Sequence, residues 1–214
     1  MDENEEYLTI PPLDSQYCRI LPPNLYTKNN TENTLVWTDL PIGIAKEIKD
    51  KGLTPKGRSW IKGGSWVAFS TPYNPSMKIS DLPPIRKGYV RIICLVQVAG
   101  TFAIHSYRES QYNSYPIICK AMLPLPEHFE LCNKIEKYRK ANPGRRILVS
   151  TNKGNTMGTV SWDKYETMEP PFTDLPWSNN SETHFGGTVP PEYFLHMMSI
   201  DEDGRPHIYI DNFP

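Results

Sequence analysis

The chain alternates between short apolar runs and polar stretches dense in proline. Tyr89 to Val98 is the strongest run. It is almost continuous in Val, Ile and Leu, which predicts a central strand covered on both faces. After Ala99-Gly100, Thr101 to Tyr107 reads as a further strand, as do Leu35–Trp37, Ser65–Ser70 and Ile117–Met122. Helical periodicity is clearest over Pro126 to Ala141. There Phe129, Cys132, Ile135 and Tyr138 fall on one stripe, Pro126 suits the first turn, and Asn142-Pro143-Gly144 ends it. Pro41 to Lys51 predicts a short helix, with Asp39 as its cap, Ile44 and Ile48 as its apolar stripe and Gly52 as its stop. Two hairpins are expected. One spans Arg146–Thr151 and Thr156–Trp162 around Asn152-Lys153-Gly154-Asn155; the other spans Tyr193–Ile200 and His207–Ile210 around Asp203-Gly204. Thr71 to Pro84 and Glu169 to Val189 read as loops. The pattern predicts an α+β fold, a mostly antiparallel sheet with two main helices and long proline-rich loops.

With 214 residues, 38% of them hydrophobic, the chain has material for one sizeable core. Its 21 prolines argue against a helical bundle. Pro11-Pro12, Pro22-Pro23 and the polar Thr27–Asn33 stretch predict an extended acidic arm over residues 1–33, followed by a single domain over 34–214. The first residues have neither a basic nor an apolar segment, so no signal peptide is expected. The apolar run Ile92–Ile104 is too short for a membrane helix. Cys18, Cys94, Cys119 and Cys132 form no CxxC pair and are expected as reduced thiols.

The net charge of −1 conceals a segregation. Residues 1–45 carry net −5, residues 46–146 net +11 and residues 147–214 net −7. A basic middle of this size is the footprint of a polyanion partner. The candidate contacts are Lys46, Lys49, Lys51, Lys56, Arg58, Lys62, Arg86, Lys87, Arg91, Lys134, Lys137, Arg139, Lys140, Arg145 and Arg146. Trp60 and Trp66 beside Lys62, or Tyr89 beside Arg86 and Arg91, supply aromatic rings for stacking. The same asymmetry allows head-to-tail self-association, or acidic ends folded back onto the basic middle.

Catalytic and metal signatures do not stand out. No histidine sits in HExxH and no serine in GxSxG, and Lys153-Gly154-Asn155-Thr156 lacks the upstream glycine of a phosphate loop. Cys119, His128 and Cys132 cluster without a zinc spacing, and packing is the expected role of His128 and Cys132 on one helix face. No catalytic residue, metal or cofactor is expected. Pro190-Pro191-Glu192-Tyr193 matches the PPxY pattern that WW domains bind, which makes Pro190, Pro191 and Tyr193 a candidate host-protein motif.

Met122-Leu123-Pro124-Leu125-Pro126-Glu127-His128-Phe129 resembles a segment of vesiculovirus-type rhabdovirus matrix proteins. Arg86–Ile93 is similar to that family's basic turn entering an apolar central strand. The closing hairpin and Ile210-Asp211-Asn212-Phe213 are similar to its C-terminal strand pair. The acidic start and the late position of PPxY depart from the family pattern. The resemblance implies a virion structural protein without enzymatic activity. Such a protein self-associates and bridges the nucleocapsid or RNA to anionic membrane lipids at the inner leaflet during assembly and budding. The alternatives are a viral nucleic-acid-binding protein, such as a movement protein or silencing suppressor, and a host-interaction adaptor.

Overall fold

The computed structural model describes residues 18–27, 32–55, 67–107, 119–141 and 181–213. Among them nine strands make one antiparallel sheet: β1 (Ile20–Leu21), β2 (Asn33–Pro41), β3 (Val67–Ser70), β4 (Tyr89–Gln97), β5 (Phe102–Tyr107), β6 (Cys119–Pro124), β7 (Ser181–Phe185), β8 (His196–Ile200) and β9 (Pro206–Asp211). Two helices accompany them, α1 (Ala45–Lys51) and α2 (Leu125–Ala141). The strand order is β6-β5-β7-β3-β2-β4-β8-β9, and the α+β class read from the sequence is the one observed.

β4 is the axis of the sheet. One edge pairs with β2 along its whole length, from Pro41↔Tyr89 to Asn33↔Gln97. The other edge is shared by β8, opposite Tyr89–Ile93, and β1, opposite Leu95 and Val96. Its even-numbered side chains (Val90, Ile92, Cys94, Val96) enter one core with Val36, Phe69 and Met197, closed by Ala45 and Ile48 of α1 and Leu125 and Phe129 of α2. Ile93 and Leu95 enter a second core with Leu35, Trp37, Met77, Leu82 and Leu195. Both helices therefore lie on one face. The other is covered by the 71–84 connection, whose prolines bar strand pairing but whose Met77 and Leu82 supply apolar cover. That double cover is why β4 reads as an unbroken apolar run.

The sheet has a narrow waist. β2 and β3 meet through one residue pair, Trp37↔Ser70. On either side lie broader ladders, β3-β7-β5-β6 and β2-β4-β8-β9.

Three elements depart from the sequence reading. The arm expected over residues 1–33 is in part built into the fold: Cys18 is buried and Ile20–Leu21 add a strand to β4. The stretch read as a loop over Glu169–Val189 contains β7, which sits between β5 and β3. Its Ser-Glu-Thr-His-Phe sequence has little apolar character, yet Thr183 and His184 are buried. Asp39 does not cap α1. Residues 42–44 form a single 3₁₀ turn before the helix, and no side chain caps it. Gly52 does end α1, at φ +83°, and its N–H donates to Ile48 O at 2.8 Å. The hairpin expected around residues 152–155 lies outside the described residues.

Candidate anion-binding corner

α1 begins where β2 ends, and the Arg86–Gly88 turn precedes β4. Because β2 and β4 pair to their tips, the two segments share one end of the sheet. The Ile42 N–H donates to Gly88 O at 2.8 Å and ties them together. Lys46, Lys49 and Lys51 on α1, and Arg86 and Lys87 on the turn, are all exposed. Residues some forty positions apart thus meet at one end of the sheet, from which α1 carries its lysines along the first-core face toward the 189–193 segment. On α1, Lys46 and Lys49 flank one side of the buried stripe of Ala45 and Ile48, and Lys51 the other, with Glu47 and Asp50 between them. The Arg86 guanidinium lies over the Tyr89 ring, 4.1 Å from its centroid, which fixes its direction.

The C-terminal hairpin completes the corner. Gly88 N–H donates to Ile200 O at 2.8 Å. Within the hairpin turn, Arg205 N–H donates to Asp201 Oδ1 at 2.7 Å and Gly204 N–H to Asp201 O at 3.0 Å. Each turn's glycine makes room for the other's charged side chain. At Gly88, φ +75°, a side-chain carbon would collide with the Glu202 carboxylate; at Gly204, φ +87°, it would sit 3.4 Å from Lys87 Cε. Among the described residues, Lys46, Lys49, Lys51, Arg86, Lys87 and Glu202 hold no ion pair. Cross-strand pairing puts Ile200 and Pro206 in line with Tyr89, and Met198 and Ile208 in line with Arg91. Directly paired residues share a face, so on the second-core face, opposite α1, an apolar strip runs out from Tyr89 and Arg91 to the edge, where Ile208 is 55% exposed.

The other candidate cations are placed differently. Arg91 is a correction: its side chain is only 6% exposed and serves the interior. Its Nε and Nη2 donate to the two Asp39 carboxylate oxygens, each at 2.7 Å, and Nη1 donates to Pro83 O. Lys137 is exposed on α2, and Lys140 pairs with Glu136 one turn earlier at 2.7 Å. α2 starts at the opposite end of β4, where Leu125 N–H donates to Thr101 O at 2.9 Å, so the described cations do not form one plateau. Lys56, Arg58, Lys62, Arg145 and Arg146 lie outside the described residues, as do the side chains of Lys134 and Arg139.

Pro190-Pro191-Glu192-Tyr193 is folded as a turn. Residues 191–193 form a 3₁₀ helix, with the Tyr193 N–H donating to Pro190 O at 3.0 Å. Tyr193 packs against the first core, and the turn rests on α1. A WW groove takes an extended polyproline segment, a shape this turn does not have.

His128 is buried in α2. Its Nε2–H donates to Pro72 O at 2.9 Å, which fixes the neutral tautomer, and Cys132 Sγ lies 3.7–3.8 Å from the ring nitrogens. Burial lowers its pKa from 6.5 to about 4. Burial likewise raises the Cys18 thiol to about 11, and that of Cys94 further still. The octapeptide Met122–Phe129 spans the β6–α2 junction, where Leu125, His128 and Phe129 face inward. Among the described residues no three metal-ligating side chains converge, and no helix is long and apolar enough to cross a membrane.

The sequence reading did not single out Glu202 or Ile208. The signal for Glu202 was its place beside a hairpin glycine; which turn it would meet depends on strand order. Comparison with known proteins gives no relative to reason from: no family model matches the chain, and no curated protein or solved structure matches it.

Proposed function

We propose that this is a non-enzymatic assembly protein that docks on an anionic membrane surface through the corner formed by α1 and the Arg86–Lys87 turn, and self-associates there. One observation carries the reading. Exposed Arg86 and Lys87, without an ion pair among the described residues, stand at the end of the sheet where α1 also starts, with Arg86 over Tyr89 on the face whose apolar strip ends in exposed Ile208. Each cation near an anionic leaflet contributes about 1 kcal/mol, and an aliphatic side chain on the face that carries Tyr89 and Arg86 suits a bilayer interface better than a nucleic-acid backbone. The resemblance to rhabdovirus matrix proteins agrees with this reading and extends it. The protein would bridge a nucleocapsid to the inner leaflet in virus assembly and budding, at the host membrane and in the virion.

The test is co-sedimentation with phosphatidylcholine vesicles with and without phosphatidylserine. Binding is expected only with the anionic lipid, and it should fade as salt rises. The double variant Arg86→Gln, Lys87→Gln should weaken it by roughly tenfold or more. Equal binding to both vesicle types, or none at low salt, refutes the reading.

A further inference from the structure

We infer that the acidic turn of the C-terminal hairpin is a built-in competitor for the cationic corner, with the Glu202 carboxylate seated where an anionic head group would lie. This rests on the membrane-docking reading above. Gly88 is the floor of the corner, flanked in sequence by the Arg86 and Lys87 cations. The Glu202 carboxylate lies directly over it, in the space a side chain at residue 88 would fill. Reciprocally, Lys87 reaches over Gly204, at the tip of the acidic turn. The two turns are held together by the Gly88 N–H bond to Ile200 O.

The arrangement approaches an ion pair without making one. Glu202 forms no salt bridge among the described residues, and neither do Arg86 and Lys87. Fully paired cations would be neutralised in place, with geometry and desolvation both opposing release. Here the carboxylate lowers the local potential from within a Debye length of about 8 Å but leaves the cations' hydrogen-bonding directions open. A surface dense in anionic head groups offers many carboxylates or phosphates at once and so displaces a single tethered one. Asp203 adds a second negative charge at the same turn, offset in part by its 3.8 Å contact with Arg205. The hairpin thus raises the density of negative charge a membrane must present before the corner engages it. A lightly charged surface is rejected and a strongly anionic one accepted.

The experiment compares wild type, Glu202→Gln, Glu127→Gln and the double variant Arg86→Gln, Lys87→Gln on vesicles of graded phosphatidylserine content. Glu127 is an exposed carboxylate in the first turn of α2, away from the corner. Glu202→Gln should shift the binding curve to several-fold lower phosphatidylserine content, and Glu127→Gln should leave it in place. Because Glu202 is exposed, its thermal unfolding should match wild type, which excludes misfolding as the cause. If Glu127→Gln shifts the curve as far, the effect is net charge and the competitor role is overturned. It is also overturned if Glu202→Gln changes nothing while the double variant weakens binding; the docking reading then stands alone. If neither wild type nor Glu202→Gln sediments at low salt, the docking reading has failed as well. If Glu202→Gln tightens single-stranded RNA binding and not vesicle binding, the lipid assignment is overturned.

Discussion

Arg91 shows what a charge inside an apolar strand requires. It stands opposite Asp39 in the β2–β4 ladder, and the two form a forked ion pair facing the second core. The carboxylate is 21% exposed and the guanidinium side chain 6%, so removing either partner strands the other with little water. Arg91→Ala should cost about 3 kcal/mol in urea denaturation, whereas the double replacement of Arg91→Met with Asp39→Leu should recover most of it. Equal loss in the double variant would show that packing, not the stranded charge, sets the cost. His128 makes a pH-dependent contribution of known sign. Its pKa falls from 6.5 to about 4 in the folded protein, so the unfolded chain takes up the proton first. Its contribution is therefore complete above about pH 6.5 and is lost as pH falls toward 4. Between pH 7 and 5 this amounts to about 2 kcal/mol. Stability measured at the two pH values should differ by that much more in wild type than in His128→Leu. The buried thiols give a third residue-scale expectation. With Cys18 at about 11 and Cys94 higher, neither is appreciably thiolate near neutrality. Both should resist alkylation until denaturant is added.

At the scale of elements, the sequence is legible where burial is two-sided or periodic and opaque where pairing partners decide. β4 and α2 declare themselves, the one by continuous apolar residues and the other by a helically spaced stripe. β1 hides between proline pairs because two residues cannot display alternation; it exists because β4 leaves the Leu95–Val96 edge open beside β8. β7 hides in an acidic, proline-rich composition because its order comes from β3 and β5 on either side. The PPxY residues are likewise placed by distant partners. They match a ligand motif, but Val189, just before them, pairs with Leu53, and the chain then turns on Pro191 to enter β8. Gly52 makes that junction possible. A side chain there, at φ +83°, would collide with Val189 O and lie 3.0 Å from Pro190 Cα. Gly52→Ala should therefore lower stability by about 2–3 kcal/mol, seen as a reduced melting temperature. A neutral effect would mean that α1 and the 189–193 segment are not coupled.

For the molecule as a whole, the narrow waist between β2 and β3 should govern how the fold opens. The strands on the β4 side of the waist are backed by long ladders, and β4 is hydrogen-bonded along both edges. The β3-β7-β5-β6 side joins it by the Trp37↔Ser70 pair, by the first core and by the chain itself, which crosses between the two sides at residues 71–88, 98–101 and 186–195. Local opening follows the weakest continuous boundary. Parting the sheet at the waist breaks little backbone hydrogen bonding, while unpairing β4 breaks two ladders at once. Phe69 and Leu125, which help close the first core, set the resistance to that parting. Native-state hydrogen exchange should accordingly resolve two cooperative units. Amides of β4, with their β2 and β8 partners, should exchange only through global unfolding; those of β5 and β7 should exchange through a sub-global opening at lower free energy. Phe69→Ala should lower that second free energy more than the first. A single exchange free energy common to Ile93, Ala103 and Thr183 would show that the core, and not the backbone seam, sets the cooperativity of this sheet.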